Sequence, residues 1–183
     1  MPVYVSMLRG INVSGHHVIK MDRLRAAFEE LGFAHVNTYI QSGNVVFQSS
    51  KSSPAALSKK IEAKILSAFG FSISVISRSA ADIESVISNN PLAGLPGVNV
   101  ERLHVAFLSE TPSAAAIKKL SELTLEPDLS RCAGKEVYLY FPNGFSKSSL
   151  WKHPLDKVLS VAATTRNWKT VNTLRQMCWD CGR

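Results

Sequence analysis

The sequence predicts an α+β protein built from two ferredoxin-like subdomains, each with the element order βαββαβ. Three observations lead there. Short runs of strand formers alternate with apolar stripes at helical spacing. Glycine, proline and asparagine punctuate those runs where turns are needed. The order of elements in the first half then recurs in the second.

Val3 to Leu8 is rich in strand formers and reads as a mostly buried strand. A polar loop with two glycines follows, from Arg9 to Lys20. Met21, Leu24, Phe28 and Leu31 recur at helical spacing, and Gly32 supplies a stop. Val36 to Ile40 is the second strand and Val45 to Phe47 the third. They are joined by Gln41-Ser42-Gly43-Asn44, whose Gly and Asn tolerate positive φ. Ser53-Pro54 is a helix start, with Ser as cap and Pro at the first helical position. Leu57, Ile61, Ile65 and Phe69 mark its buried stripe and Gly70 its end. Phe71 to Ser77 alternates apolar residues with serine, as a half-buried strand does. A short helix carries Ile83, Val86 and Ile87, and residues 89–97 have the composition of a linker.

The second half repeats this order. Leu103 to Leu108 parallels the first strand, Ser113 to Leu123 the first helix, and the Cys132–Lys135 turn with Val137–Tyr140 the hairpin. Residues 147–160 are expected as a helix and Val161 to Thr165 as the last strand. Arg166 with Val171 and Leu174 matches Arg78 with Ile83 and Val86 in the appended helix. The expected domains are therefore 1–90, a linker at 91–100, and 101–183.

With 45% hydrophobic and 19% charged residues, the 183-residue chain is globular in composition rather than disordered. Its longest apolar runs are strand-length, so no membrane partner is expected. The first residues lack the basic start and apolar stretch of a secretory signal. Three cysteines do not suggest a disulfide framework, and a reducing, cytoplasmic location is the simpler expectation. The net charge of +7 favours phosphates, nucleotides or nucleic acid as partners, unless it serves solubility alone.

Topology locates the first candidate site. The first two strands of a ferredoxin-like sheet run parallel, so their C-terminal ends share an edge. The Arg9–Lys20 loop and the Gln41–Asn44 hairpin should then be neighbours, offering Arg9, Gly10, Asn12, Lys20, Ser42, Gly43 and Asn44 to one anionic ligand. The competing reading is a tight loop whose Asn and Ser side chains satisfy backbone groups. The loop has neither the spacing of a P-loop nor the dinucleotide glycine pattern.

Arg166 and Asn167 open the terminal helix, where a helix N-terminus and a guanidinium could meet an anion, or where Asn167 merely caps. Ser146-Lys147-Ser148 offers a weaker site of the same kind. His17, beside His16, and Asp22 are the candidate general bases. One loop displays too few ligands for a metal, and none is expected. Cys178 and Cys181 have Cys-x-x-Cys spacing, but not at the strand-to-helix junction where a helix dipole would activate a thiol. Tyr138 and Tyr140 share a strand face, as base-stacking residues would. The basic-Gly-aromatic run of an RNA-recognition strand is missing from Asn44-Val45-Val46-Phe47-Gln48.

Three segments, Leu8-Arg9-Gly10-Ile11-Asn12-Val13, Thr38 to Phe47 and Ala163-Thr164-Thr165-Arg166-Asn167-Trp168, together resemble the bacterial family catalogued as domain of unknown function 1697. The resemblance extends in order over nearly the whole chain. It implies two ferredoxin-like subdomains and no established general activity. It also carries an association with aminoglycoside antibiotic resistance through phosphate transfer, which nothing in composition or spacing indicates. Ser14 departs from the family's usual second glycine, and His16-His17 from its more typical polar pair.

The leading expectation is a phosphotransferase-like enzyme that binds a nucleotide or other phosphate compound, ATP or GTP with magnesium, and modifies a small molecule. Arg9, Lys20 and Arg166 would neutralise phosphate, Ser42 and Asn44 orient it, and Asp22 or His17 act as base. The alternatives are a nucleic-acid-binding module and a non-catalytic interaction protein.

Overall fold

The computed structural model describes residues 1–183. It is a mixed α+β structure with two four-stranded antiparallel sheets, and it divides into two compact units. The first comprises Met1–Ser85 with Thr173–Arg183, the second Val86–Asn172. This division differs from boundaries at 90 and 101, because the end of the terminal helix groups with the first unit.

The first unit contains β1 (Val3–Leu8), α1 (Met21–Glu29), β2 (Ala34–Tyr39), β3 (Asn44–Gln48), α2 (Pro54–Phe69), β4 (Val75–Ser79) and the start of α3 (Ala80–Ser88). The strand order is β2-β3-β1-β4, every neighbouring pair antiparallel, so β1 and β2 point the same way on either side of β3. Tyr4, Leu8, Val45 and Phe47 on one face pack with Leu24 and Phe28 of α1 and Leu57, Ile61 and Ile65 of α2. Ser6 and Ser77 interrupt this face at its centre; they share a 2.7 Å hydrogen bond, and Ser58 donates to Ser77 at 3.1 Å, so neither hydroxyl is stranded. The α2 ends follow their sequence signals. Ser53 Oγ accepts from Ala56 N, Pro54 opens the helix, and Gly70 ends it at φ 80°.

Phe71 to Ser77 is not one strand. Ladder pairing with β1 stops at Leu8↔Val75; one further bond, Arg9 N to Ser74 O at 3.0 Å, closes it. Beyond that β1 has turned away, and residues 71–74 have no partner strand. The second strand also begins two residues early, at Ala34, and ends at Tyr39, because Ile40 takes φ 51°.

The second unit contains β5 (Leu103–Leu108), α4 (Ala114–Leu123), β6 (Leu129–Ala133), β7 (Glu136–Tyr140), α5 (Leu155–Leu159), β8 (Ala163–Asn167) and the first turn and a half of α6 (Trp168–Cys181). Its order, β6-β7-β5-β8, reproduces the first sheet. Corresponding bonds recur: Leu8 N reaches Gly43 O at 2.8 Å and Leu108 N reaches Lys135 O at 2.9 Å, while Val5 pairs with Arg78 and Val105 with Arg166.

The expected helix over 147–160 is broken into two 3-10 turns, Phe145–Lys147 and Ser149–Lys152, and the short α5. Ser148, extended at φ −71°, ψ 147°, separates the two turns, and the second is stopped by Pro154. The proline has no N–H to donate and excludes helical backbone at the preceding residue, His153, found at φ −121°, ψ 86°. The last strand accordingly starts at Ala163 rather than Val161, after Ser160 turns the chain at φ 57°. No helix is long and apolar enough to cross a membrane.

Candidate functional site

The loop after β1 is a small hairpin of its own. Val13 and His16 form an antiparallel bridge, His16 N donates to Val13 O at 2.9 Å, and Asn12 N donates to His17 O at 3.2 Å. Ser14 and Gly15 at its tip take φ 49° and 77°, the pair of positive values a two-residue turn of this hand requires. Asn12, itself at φ 55°, ties the base: its Nδ2 donates to Ile19 O (3.0 Å) and Gln41 O (2.8 Å), and its Oδ1 accepts from Ile19 N (2.9 Å).

The loop and the Gln41–Asn44 hairpin are therefore neighbours, as β1 and β2 pointing the same way requires. Their shared seam is closed, however. A Cβ on Gly43 would sit 2.6 Å from Ile11 Cδ1 and 2.9 Å from Leu8 Cβ. Asn44 is fully buried and its Nδ2 donates to Tyr39 O and Ser42 Oγ. Asn12, Ser42, Gly43 and Asn44 thus hold the loop in place by hydrogen bonds and close packing.

The open side faces elsewhere. Arg9, Gly10, Val13, Ser14, His16 and His17 line a cleft of about 710 Å³ whose far wall is Glu62 of α2 with Ser72-Ile73-Ser74. His17 is fixed on both counts that matter: its Nδ1 lies 3.3 Å from Gly10 O, and its ring stacks on Phe71 at 4.5 Å. In the tautomer that donates from Nδ1 to this carbonyl, Nε2 carries the lone pair, the arrangement of a general base. Glu62 accepts from Val75 N at 2.8 Å, which anchors the start of β4.

The other expected residues are not among the cleft walls. Lys20 is the exposed N-cap position of α1, without a side-chain cap bond. Asp22 is exposed in the first turn of α1, 3.4 Å from Arg25. Arg166 and Asn167 belong to the second unit. There Arg166 is buried on β8, its Nη1 donating to Thr164 Oγ1 (2.7 Å) and Thr165 O (3.0 Å). Burial pushes its pKa down to about 10, which leaves it charged at neutral pH. Asn167 Oδ1 accepts from Thr170 N at 2.8 Å, the capping role.

Glu62 bears no motif, and Phe71, Ser72 and Ser74 come from a segment whose alternation imitates a strand, so all four escape sequence reasoning. The signal that could find them is strand length: β1 is too short to pair with all of Phe71 to Ser77.

The remaining candidates resolve by burial. Tyr138 and Tyr140 are 3% and 9% exposed, and Tyr138 donates its hydroxyl to Val86 O at 3.1 Å, so neither presents a face to a base. All three cysteines are free. Burial, with a smaller contribution from Cys181, pushes the Cys178 thiol up to about 12, the opposite of thiolate activation. No group of three or more His, Cys, Asp or Glu side chains is placed to hold a metal ion.

No curated protein matches the chain. In fold it is similar to the solved structure of the conserved bacterial protein SP0830 from Streptococcus pneumoniae, with 26% identity and a TM-score of 0.74 over 97% of this chain and 98% of that one. Residues 1–138 match the family described as protein of unknown function (DUF1697). Loop, hairpin and both flanking strands lie inside that match, and the chain belongs to the DUF1697 family.

Proposed function

We propose that the chain is a tandem of ferredoxin-like subdomains whose first member binds a small phosphate-bearing molecule in the cleft beneath the β1–α1 loop. The observation that carries this reading is the composition of the walls: Arg9, His16 and His17 with the hydroxyls of Ser14, Ser72 and Ser74, against a single carboxylate already engaged by Val75 N. A guanidinium, imidazole nitrogens and hydroxyl donors around one hollow suit an oxyanion. His17, oriented by Gly10 O and Phe71, is the base for group transfer in this reading; Asp22, held at Arg25, has no part in it. The Arg9 guanidinium and the hydroxyl donors suit the phosphate donor, ATP or GTP, better than a polycationic aminoglycoside acceptor. Free cysteines support a cytoplasmic setting.

Calorimetric titration with inorganic phosphate, then with ATP and GTP with and without magnesium, tests the reading. Binding that weakens at least tenfold in both Arg9→Ala and His17→Ala is expected. Absence of heat at millimolar nucleotide and phosphate would sink it.

A further inference from the structure

The second unit carries a row of aromatic rings that leads from its core to its surface. His104, Phe141, Phe145 and Trp151 follow one another with ring centroids 5.4, 5.1 and 5.2 Å apart. The inner ring, Phe141, is buried, while Phe145 is 42% and Trp151 55% exposed. The row is held by backbone rather than by packing alone: Gly144 N donates to Phe141 O (2.9 Å), Ser148 N to Phe145 O (3.0 Å) and Trp151 N to Ser148 O (3.1 Å). Its outer members are thus presented on two consecutive 3-10 turns kept apart by extended backbone at Ser148, φ −71°, ψ 147°.

Cations dominate the row itself, with Glu101 beside Arg102 and Asp156 just beyond it as the acidic neighbours in sequence. Residues 142–155 contain Lys147, Lys152 and His153 and no Asp or Glu. Both lysines are exposed, each at the end of the 3-10 turn that bears one of the aromatic rings. Arg102, also exposed, backs the same turn: its carbonyl accepts from Phe141 N, and a Cβ at Gly144 would lie 3.7 Å from its Nη1.

We propose that this surface binds single-stranded nucleic acid, with a base stacked on Trp151 beside Phe145 and the flanking phosphates met by Lys147, Lys152 and Arg102. An apolar patch for a protein partner would have no need of a lysine closing each ring-bearing turn, whereas stacking platforms set among cations are how single strands are held without sequence readout. Duplex DNA hides its base faces and would gain only the charge term. The site is independent of the first-unit cleft, with which it shares no residue.

The test is fluorescence anisotropy of labelled oligo-dT and oligo-U, alongside a duplex of equal length, across a salt series. Tighter binding of the single strands is expected. Trp151→Ala should weaken them about tenfold, Trp151→Phe much less, since each stacked base contributes roughly 1–3 kcal/mol and tenfold corresponds to about 1.4. Replacing Lys147 and Lys152 together by Ala should reduce the slope of log affinity against log salt by about 1.4, at roughly 0.7 per phosphate contact. Trp151→Ala should keep its circular dichroism spectrum and any phosphate binding in the first unit. No retention at low salt, equal affinity for duplex, or an unchanged Trp151→Ala each overturns the proposal, the first leaving the aromatic pair to a protein partner.

Discussion

In the first unit the chain leaves β1 and runs through residues 9–20 before α1 begins; in the second it leaves β5 and reaches α4 through residues 109–113. The frames beneath are alike. Each central strand gives its last N–H to the hairpin beside it, Leu8 to Gly43 and Leu108 to Lys135. Each then gives one more to the edge strand's approach, Arg9 to Ser74 O and Ser109 to Ala162 O. What differs is the load on the hairpin. Ile11 and Leu8 press on position 43, where only glycine fits, while the equivalent position of the second unit holds the exposed Lys135. The candidate cleft is thus an elaboration on a repeated frame, and the frame was altered to seat it.

Breaking that contrast has its largest effect at Gly43. Gly43→Ala combines a left-handed backbone penalty with a clash, and should cost about 3 kcal/mol or more by urea unfolding. Gly134→Ala, at φ 59° with nothing within 4 Å, should cost only about 1. Equal losses would show that the loop does not bear on the hairpin.

Next in size is Asn12→Ala. It strands Ile19 N, Ile19 O and Gln41 O, so a loss of about 2 kcal/mol is expected, together with faster hydrogen exchange confined to residues 9–20.

A third experiment uses acid on the second unit. Burial holds His104 below the ordinary 6.5, outweighing the bond to Arg102 O that favours its charged form. The folded state therefore prefers the neutral ring, and the stability this contributes is present above 6.5 and lost as pH falls through the folded value. His104→Gln should flatten the fall in stability just below pH 6.5; an unchanged pH profile would refute the assignment.

The smallest effect is a gain. Ser14 sits at φ 49° in the loop's tip, so Ser14→Gly should relieve strain and raise the free energy of urea unfolding by about 0.5–1 kcal/mol.

Much of this frame is legible in the sequence. Val3–Leu8 is the strand the residues predict, Ser53-Pro54 starts its helix, and the Gly43-Asn44 hairpin follows because few residues tolerate its backbone. The adjacency of loop and hairpin is legible too, since parallel strand ends share an edge. Which polar atoms face solvent is not. The amides of Asn12 and Asn44 turn inward to backbone carbonyls, and no spacing rule distinguishes such an amide from one awaiting a ligand. The far wall is hidden for another reason: Glu62 and Ser72 reach the cleft from separate segments, through tertiary packing that periodicity does not encode.

The division of α6 has a consequence for synthesis. Residues 173–183 complete the first unit, where Gln48 Nε2 donates to Cys181 O at 2.7 Å, yet they follow the entire second unit in the chain. A ribosome therefore delivers the first unit's opening 85 residues long before its closing segment. The last contacts of the first unit are thus added after the second unit has been made, out of the ordinary order in which the leading domain finishes first. The half that carries the candidate cleft is the half that must wait.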